Sequence, residues 1–548
     1  MQKSTNFDIE KEYQKYKNVL KGAKKGEVVT RFPPEPSGYL HIGHAKAVLI
    51  NYHYSKIYEG KMIFRFDDTN VEKEKEEYVQ SIIDDLKTLG VQWTGEITHT
   101  SDYFDYLIEK AEELIKKGLA YCDNTPQEIM RDERFKCIES KNRNTPPEEN
   151  LKIFRAMCKT NADIHDADNY CLRGKIDMKS KNGAMRDPVF YRVNTKEHHR
   201  TGTKYRCYPT YDFCCPLVDS IEGVTHAMRT NEYSDRIEQY SWVIKNCDVR
   251  PVQIWEFSRL NFAHTFLSKR KLTEFVLSGK VDGWDDPRFP TVKGILRKGL
   301  TVEALTEFML MQGPSKNTNL MEWDKIWAIN KQFIDPISGR YTAIAAKTAC
   351  KAIVVNGPET EESFEVALHP KNAEMGNKQI FKSKDLLIEY DDAKLLKVDQ
   401  IVTFMKWGNM KVLDIQENQE GTLKLLLEYL PDNKDFKNTI KVNWLANSQL
   451  TQVLLVEYDH LLKNDKVLEN VPFEEQLNET TKYVTDAIGE PLLKNLIKGQ
   501  YIQLERRGYF KVDKIHDNQN GDKVIEIIFV PDGKSKGMST ISKNVANR

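Results

Sequence analysis

Two histidines three positions apart, His41 and His44, flank Gly43 at the end of the run Pro34-Glu35-Pro36-Ser37-Gly38-Tyr39-Leu40-His41-Ile42-Gly43-His44. The run lies between a β-rich stretch and a helical one. A helix N-terminus there offers free backbone N–H groups and a positive dipole end, which attract phosphate. Two imidazoles in that first turn can donate to phosphate oxygens and stabilise charge developing on a transferring phosphorus. Gly43 leaves room for a flat base against the backbone. Any single histidine at a helix start is an ordinary surface residue; the pair around a glycine favours the phosphate reading. No Gly-x-x-x-x-Gly-Lys-Ser/Thr loop is present, so this is not a P-loop. A second run, Leu267-Ser268-Lys269-Arg270-Lys271-Leu272, is basic and carries a serine. A flexible loop of that kind can close over a triphosphate and neutralise charge moving toward pyrophosphate. Alone it is weak, because basic runs are usually solvated faces.

The elements that must position these residues follow from pattern. Residues 8–25 read as a short charged helix, released at Gly26 into the strand Val28–Phe32, which Pro33 and Pro34 stop. A helical pattern runs from Ile42 to about Tyr58, with Gly60 where a C-terminal glycine is expected, and Met62–Phe66 is a second buried strand. Strand, loop, helix, strand is a βαβ unit, hence a parallel sheet with ligands at its strand ends. From about Cys122 to Arg206 the texture changes to polar helices and short strands, as in an insertion; the sheet is expected to resume at Tyr205–Tyr211 and near Ile254–Phe257. Residues 284–333 read as helical. After Asp335-Pro336, short strands with Gly, Asn and Asp turns indicate β-barrels to about Val530, followed by a flexible Lys- and Ser-rich tail. No internal repeat with a convincing period is evident.

A chain of 548 residues must divide into several domains. Lys+Arg and Asp+Glu are equal at 81 each, which excludes a non-specific polyanion coat and makes any RNA binding local. No apolar run suits a membrane span, and the polar N-terminus is neither a signal nor a transit peptide. Nine scattered cysteines form neither a disulfide framework nor a zinc motif, so a reducing cytoplasm is expected.

Together the two motifs resemble the His-Ile-Gly-His and Lys-Met-Ser-Lys-Ser signatures of class I aminoacyl-tRNA synthetases. Arg65-Phe66-Asp67-Asp68-Thr69-Asn70, Tyr208-Pro209-Thr210-Tyr211-Asp212-Phe213, Asp219-Ser220-Ile221-Glu222-Gly223-Val224-Thr225-His226 and Trp284-Asp285-Asp286-Pro287-Arg288 resemble the glutamyl/glutaminyl branch. The β-rich second half resembles its eukaryotic and archaeal type. The resemblance implies a multidomain α/β chain: an N-terminal helical extension (1–27), a Rossmann-type parallel-sheet catalytic domain in two halves (28–121 and 207–260), an α+β acceptor-stem insertion (122–206), a helical connector with the signature loop (261–334), anticodon-binding β-barrels (335–530) and a tail (531–548).

The implied activity is ATP-dependent glutamate–tRNA ligation in the cytoplasm, with tRNA(Glu), L-glutamate and ATP as partners and Mg²⁺ riding on the triphosphate rather than held in a protein cage. The N-terminus is a candidate for docking a multi-synthetase or cofactor partner. The alternative is a glutaminyl-tRNA synthetase. Charge separates them, because a buried carboxylate needs a cation and an amide does not. Arg31 and Arg229 can serve the two carboxylates of glutamate, and glutaminyl enzymes carry a small neutral residue in place of Arg229. A surface ion pair between Arg229 and Glu232 is the competing role for that arginine. The resemblance further implies Asp67 on the α-ammonium, with Tyr211 and Cys215 lining the same pocket. It implies an ATP surface of Glu35, Ser37, His41, Gly43, His44, Glu232, Arg259, Leu260, Leu267, Ser268, Lys269, Arg270 and Lys271, with His41, His44 and Lys269 catalytic. Asp67 or Asp68 would alternatively cap a following helix. Arg340, Gln503 and Arg506 are candidate anticodon contacts, while Tyr509 and Phe510 read as core strand residues.

Overall fold

A computed structural model describes residues 9–72, 74–159, 166–313, 315–418, 421–534 and 538–539. The chain forms two compact units; one holds residues 8–261 and 309–320, the other 262–308 and 321 onward.

The first unit begins with α1 (Ile9–Tyr16), β1 (Val29–Phe32), α2 (Ile42–Ile57), β2 (Lys61–Phe66), α3 (Glu76–Thr88) and β3 (Thr98–His99). β1, β2 and β3 pair in parallel. After α4 (Phe104–Lys116), strands β4 (Ala120–Asp123), β5 (Cys171–Gly174), β6 (Val189–Val193) and β7 (Cys207–Pro209) form an antiparallel sheet, with helices α5 (Gln127–Lys136) and α6 (Pro147–Cys158) between β4 and β5. Then come α7 (Tyr211–Ile221), β8 (His226–Thr230), α8 (Ile237–Asn246) and β9 (Gln253–Phe257), with β8 and β9 parallel. The Thr225 N–H donates to the Val29 carbonyl at 2.9 Å and joins the two parallel blocks beside β1. Strand order therefore reverses at β1, and the crevice beyond its C-terminal end is where such sheets take ligands.

Three expectations change here. The helix expected over residues 8–25 spans Ile9–Tyr16; beyond it the chain turns and is held by tertiary bonds such as Leu20 N–H to the Tyr58 hydroxyl, 2.9 Å, before Gly22 at φ +72°. β7, expected to resume the parallel sheet, instead pairs antiparallel with β6; the parallel sheet resumes at β8, whose His-Ala-Met-Arg-Thr sequence carries no β-branched run to betray it. Gly60 is needed for a different reason than capping. Glu59 takes the left-handed turn at φ +51°, whereas a Cβ on Gly60 would stand 2.0 Å from the Val28 carbonyl oxygen.

In the second unit, α9 (Lys269–Leu277) anchors Leu272 and Phe275 in a core with Phe266, Phe289, Leu461 and Leu462. Two seven-stranded sheets follow, each around its own core. In one, segment Ile440–Val442 pairs with Ile401–Phe404 at one edge, and Trp444–Ala446, only Asn443 later, pairs with Asp385–Ile388 at the other edge. In the other, Gly339–Tyr341 and Ala343–Ala345, separated by Thr342, likewise serve Tyr501–Leu504 and Lys482–Gly489. One residue between strands on opposite edges brings those edges together, which makes each sheet a near-closed barrel and removes exposed edges.

The barrels are repeats of one unit, contrary to the sequence reading. Positions recur one hundred residues apart: left-handed Lys406 and Arg506, then Gly408 and Gly508, with a β-bulge after Val412 and after Val512. Side chains recur with the same offset, Lys411 and Lys511, Ile415 and Ile515, Asn418 and Asn518, Gly421 and Gly521, while the closing segment follows the shared hairpin in one barrel and precedes it in the other. Within the tail, Met538 and Ser539 are described. The Trp327 indole N–H reaches the Met538 sulfur at 3.2 Å, and Ser539 donates to Glu457. Residues 535–537 and 540–548 lie outside the described residues. Among the described residues no helix is long and apolar enough to cross a membrane.

Candidate active site

A cavity of about 790 Å³ opens at the C-terminal ends of β1, β2 and β8, walled by Arg31, Glu35, His44, Asp67, Tyr211 and Arg229 among others. Two loops complete its rim, Thr69–Glu72 after β2 and the stretch around Arg192 and Asn194 at the end of β6.

The histidines cap α2 reciprocally. His41 Nδ1 accepts from the Gly43 N–H at 3.1 Å, and His44 Nδ1 accepts from the His41 N–H at 3.2 Å. Their rings stack with centroids 3.7 Å apart. Because each Nδ1 is an acceptor, each Nε2 carries the proton and is the donor left for a ligand. Burial keeps both neutral. It lowers His44 to about 4 and His41 well below the ordinary range, where neighbouring His44 and Arg259 push the same way. Glu35 accepts from Ser37 at 3.0 Å and from Asn70 at 2.8 Å, which ties this motif to the loop after β2.

The two arginines are in opposite electrostatic states. Arg31 is fully buried; its Nε donates to Asp219 at 3.1 Å and its Nη1 to the Met228 carbonyl at 2.9 Å. Asp219 also accepts from Arg65 at 2.6 Å and from the Tyr240 hydroxyl at 3.0 Å, and Arg65 reaches Glu222 at 2.5 Å. Burial works to raise the Asp219 carboxyl, but Arg31 and Arg65 outweigh it and hold it below the usual range. Two guanidinium groups and two carboxylates thus cancel within the protein. Arg229 is 7% exposed, and among the described residues its Nε and Nη2 have no hydrogen-bond partner. Its guanidinium instead lies 5.3 Å from the Tyr240 ring and 5.8 Å from the Tyr233 ring. The competing pair with Glu232 does not form: Glu232 accepts from Arg259 at 2.7 Å.

Asp67 also faces the cavity, with Thr69 donating to it at 3.1 Å. Burial pushes its carboxyl up to about 7, with Asp68 adding and Arg65 opposing. Asp68 does different work, accepting from the Ser101 N–H at 2.8 Å and hydroxyl at 2.6 Å. Neither caps the helix that follows it, since Lys75 stands at the N-cap of α3. Tyr211 begins α7 and lies 5.8 Å, ring to ring, from Tyr233. Cys215 stands one layer behind the wall, its thiol 3.5 Å from Asp219, so it shapes the pocket through Arg31's partner.

The signature run lies in the other unit and is helical from Lys269, with Ser268 at the N-cap position; Lys269, Arg270 and Lys271 form the first turn of α9. Three cations and no acid at the positive end of a helix are unfavourable by ~0.3–1 kcal/mol each, a cost that a bound anion relieves. Lys271 rests 3.7 Å from the Phe473 ring centroid. In the barrels, Arg340 and Gln503 are neighbours in register. Arg340 donates to Asp335 at 2.5 Å and Arg506 to Asp392 at 2.5 Å, while Tyr509 and Phe510 are buried. Sequence reading missed Tyr233, Tyr240 and Asp219; the two tyrosines, seven residues apart just beyond Arg229, are the signal that was available.

The residue match extends over most of the chain. The model of the catalytic domain of class I tRNA synthetases (E and Q) covers residues 27–336, and the anticodon-binding domain models of the same family cover 338–429 and 441–513. The probable cytoplasmic glutamate–tRNA ligase of Schizosaccharomyces pombe is 47% identical over 95% of this chain and 72% of its own. That of Saccharomyces cerevisiae is 46% identical over 98% and 75%. The bifunctional glutamate/proline–tRNA ligase of Cricetulus griseus is 47% identical over 95% of this chain, which spans 35% of that protein's length. With the catalytic-domain model matched over residues 27–336 and relatives 46–47% identical over nearly all of the chain, the chain belongs to the class I tRNA synthetases of the E and Q type.

Proposed function

We propose that the chain is a cytoplasmic glutamate–tRNA ligase: it activates L-glutamate with ATP and transfers it to the 3′ end of tRNA(Glu). The observation that carries this reading is the unpaired guanidinium of Arg229 in the cavity wall. A buried guanidinium whose Nε and Nη2 lack acceptors among the described residues is costly to keep, and an acidic side chain supplies two charged acceptors where a glutamine amide supplies one neutral one. Asp67 faces the same space and is suited to the α-ammonium. Tyr211 orients the ligand between them.

The chemistry follows from positioning. The glutamate α-carboxylate attacks the α-phosphorus of ATP in line, releasing pyrophosphate. The Nε2–H groups of His41 and His44 donate to phosphate oxygens at the N-terminus of α2. Lys269, in the cationic first turn of α9, draws charge developing on the departing pyrophosphate. The terminal adenosine hydroxyl of the tRNA then attacks the mixed anhydride. Mg²⁺ would travel on the triphosphate through water. Glu74, His198 and His199 lie close enough to suggest a metal site, but they do not fit one. His198 Nε2 is 2.7 Å from the Asp68 carbonyl, and its Nδ1 accepts from the Arg200 and Thr201 N–H groups. The barrels are the proposed anticodon-binding region, with Gln503 and half-exposed Arg506 as contacts.

Pyrophosphate exchange with glutamate or glutamine, with and without bulk tRNA, tests this. Exchange with glutamate is expected; exchange with glutamine instead, or none under any condition, overturns the assignment. Replacing His44 by Ala is expected to slow adenylate formation ~10²–10³-fold. The thermal midpoint should move by no more than the loss of one helix cap, about 1 kcal/mol. An unchanged activation rate would remove His44 from the reacting phosphate.

A further inference from the structure

Arg229 has a carboxylate within reach that it does not bind. β8 and β9 run parallel with Arg229 and Glu256 as register partners, and such neighbours project from the same face of a sheet. Glu256 is buried at 7% exposure, a setting in which an ion pair with the adjacent arginine would be expected. Instead both its oxygens are spoken for elsewhere. Oε1 accepts from the Ser234 hydroxyl at 2.5 Å, and Oε2 accepts from Lys316 Nζ at 2.8 Å. Burial works to raise the Glu256 carboxyl; Lys316 and Ser234, with Arg229 adding, reverse this and hold it ionised.

Lys316 itself is placed with care. Its carbonyl accepts from the Asn231 side-chain amide at 2.7 Å, and the preceding Ser315 carbonyl accepts from the Ser258 N–H at 3.0 Å. Its side chain is 62% exposed apart from the contact with Glu256. We propose that Lys316 is a positioning residue for amino-acid selection: by engaging Glu256 it prevents that carboxylate from neutralising Arg229, and so keeps the guanidinium available to an acidic substrate. The role rests on the reading of Arg229 as the ligand's cation.

Without Lys316, a side-chain rotation lets Glu256 bind Arg229. An internal carboxylate then competes with the substrate's carboxylate for one guanidinium. The competition acts on binding, not on the phosphorus chemistry, so KM carries the effect and kcat does not. Tyr233 and Tyr240 complete the arrangement, because their ring faces support the guanidinium without cancelling its charge.

The test is pyrophosphate exchange by full-length Lys316→Ala, Lys316→Arg, Glu256→Gln and the Lys316→Ala/Glu256→Gln double variant. Lys316→Ala should raise the KM for glutamate about tenfold with kcat within a factor of two. Lys316→Arg should behave as the parent, and so should Glu256→Gln alone. The double variant should recover the parent KM, because an uncharged amide in place of the Glu256 carboxylate no longer competes. An unchanged KM in Lys316→Ala, or a raised KM that the double variant fails to restore, overturns the proposal. Failure of the parent enzyme to use glutamate would instead overturn the substrate reading, so the two outcomes are distinct.

Discussion

Exchanging Arg229 for methionine is expected to lower kcat/KM for glutamate about a thousandfold, close to 4 kcal/mol of lost interaction with a buried carboxylate. The fold should not suffer. Among the described residues Nε and Nη2 of this arginine are buried without hydrogen-bond partners, so its removal relieves a desolvation cost and the thermal midpoint should hold or rise. Arg31 gives the opposite result. Its guanidinium is bonded to Asp219 and the Met228 carbonyl, and Arg31→Met leaves the Asp219 network short of one cation. Breaking such a buried pair costs ~3–5 kcal/mol of stability. On those results the two arginines lining one cavity would separate into one that serves the ligand and one that serves the fold. Pyrophosphate exchange and thermal melts on both variants check this. Full glutamate activation by Arg229→Met would end the case for a charge-selected substrate.

What was legible in the sequence was what neighbouring residues decide. His41, Gly43 and His44 sit in one turn, and strand, helix and strand around them follow from local pattern, so the parallel sheet and the helix-capping motif could be placed before any contact was known. The state of each arginine could not. Arg31 meets Asp219 from 188 positions away, and Glu256 is engaged by Lys316 from 60 positions further along. Both arginines look alike as letters; only the carboxylates brought beside them by strand order distinguish them. The same limit explains β7. Cys207–Pro209 is a buried run that either sheet could accept, and the partner strand that claims it is β6. The barrel repeat was legible and was overlooked: Gly408, Lys411, Val412, Ile415, Asn418, Gly421 and Pro431-Asp432 recur one hundred positions later as Gly508, Lys511, Val512, Ile515, Asn518, Gly521 and Pro531-Asp532, and only the strands flanking this run differ in order.

Asp67 is expected to couple amino-acid binding to pH within the physiological range. Its carboxyl is raised from an ordinary 3.8 to about 7, chiefly by burial. The sign for stability follows directly. The folded state holds the proton more tightly than the unfolded chain, so the stabilisation is complete below pH 4 and is lost as pH rises through 7. An asparagine has no proton to lose. Asp67→Asn should accordingly match the parent near pH 4 and exceed it at pH 8 by about 1–2 kcal/mol, a value kept low because the cavity admits water to the carboxylate. Binding runs the other way. The α-ammonium needs the ionised carboxylate, so kcat/KM for glutamate in the parent should fall about tenfold for each unit below pH 7, since that ratio reports the free enzyme. Asp67→Asn should be slow at every pH, with the inflection near 7 gone. A parent profile flat from pH 6 to 8 would assign the ammonium to another group. A variant that gains stability at pH 8 while losing the substrate would mean that this carboxylate is kept for its ligand at the expense of the fold, the same balance expected of Arg229, whose Nε and Nη2 have no hydrogen-bond partner among the described residues of the same cavity.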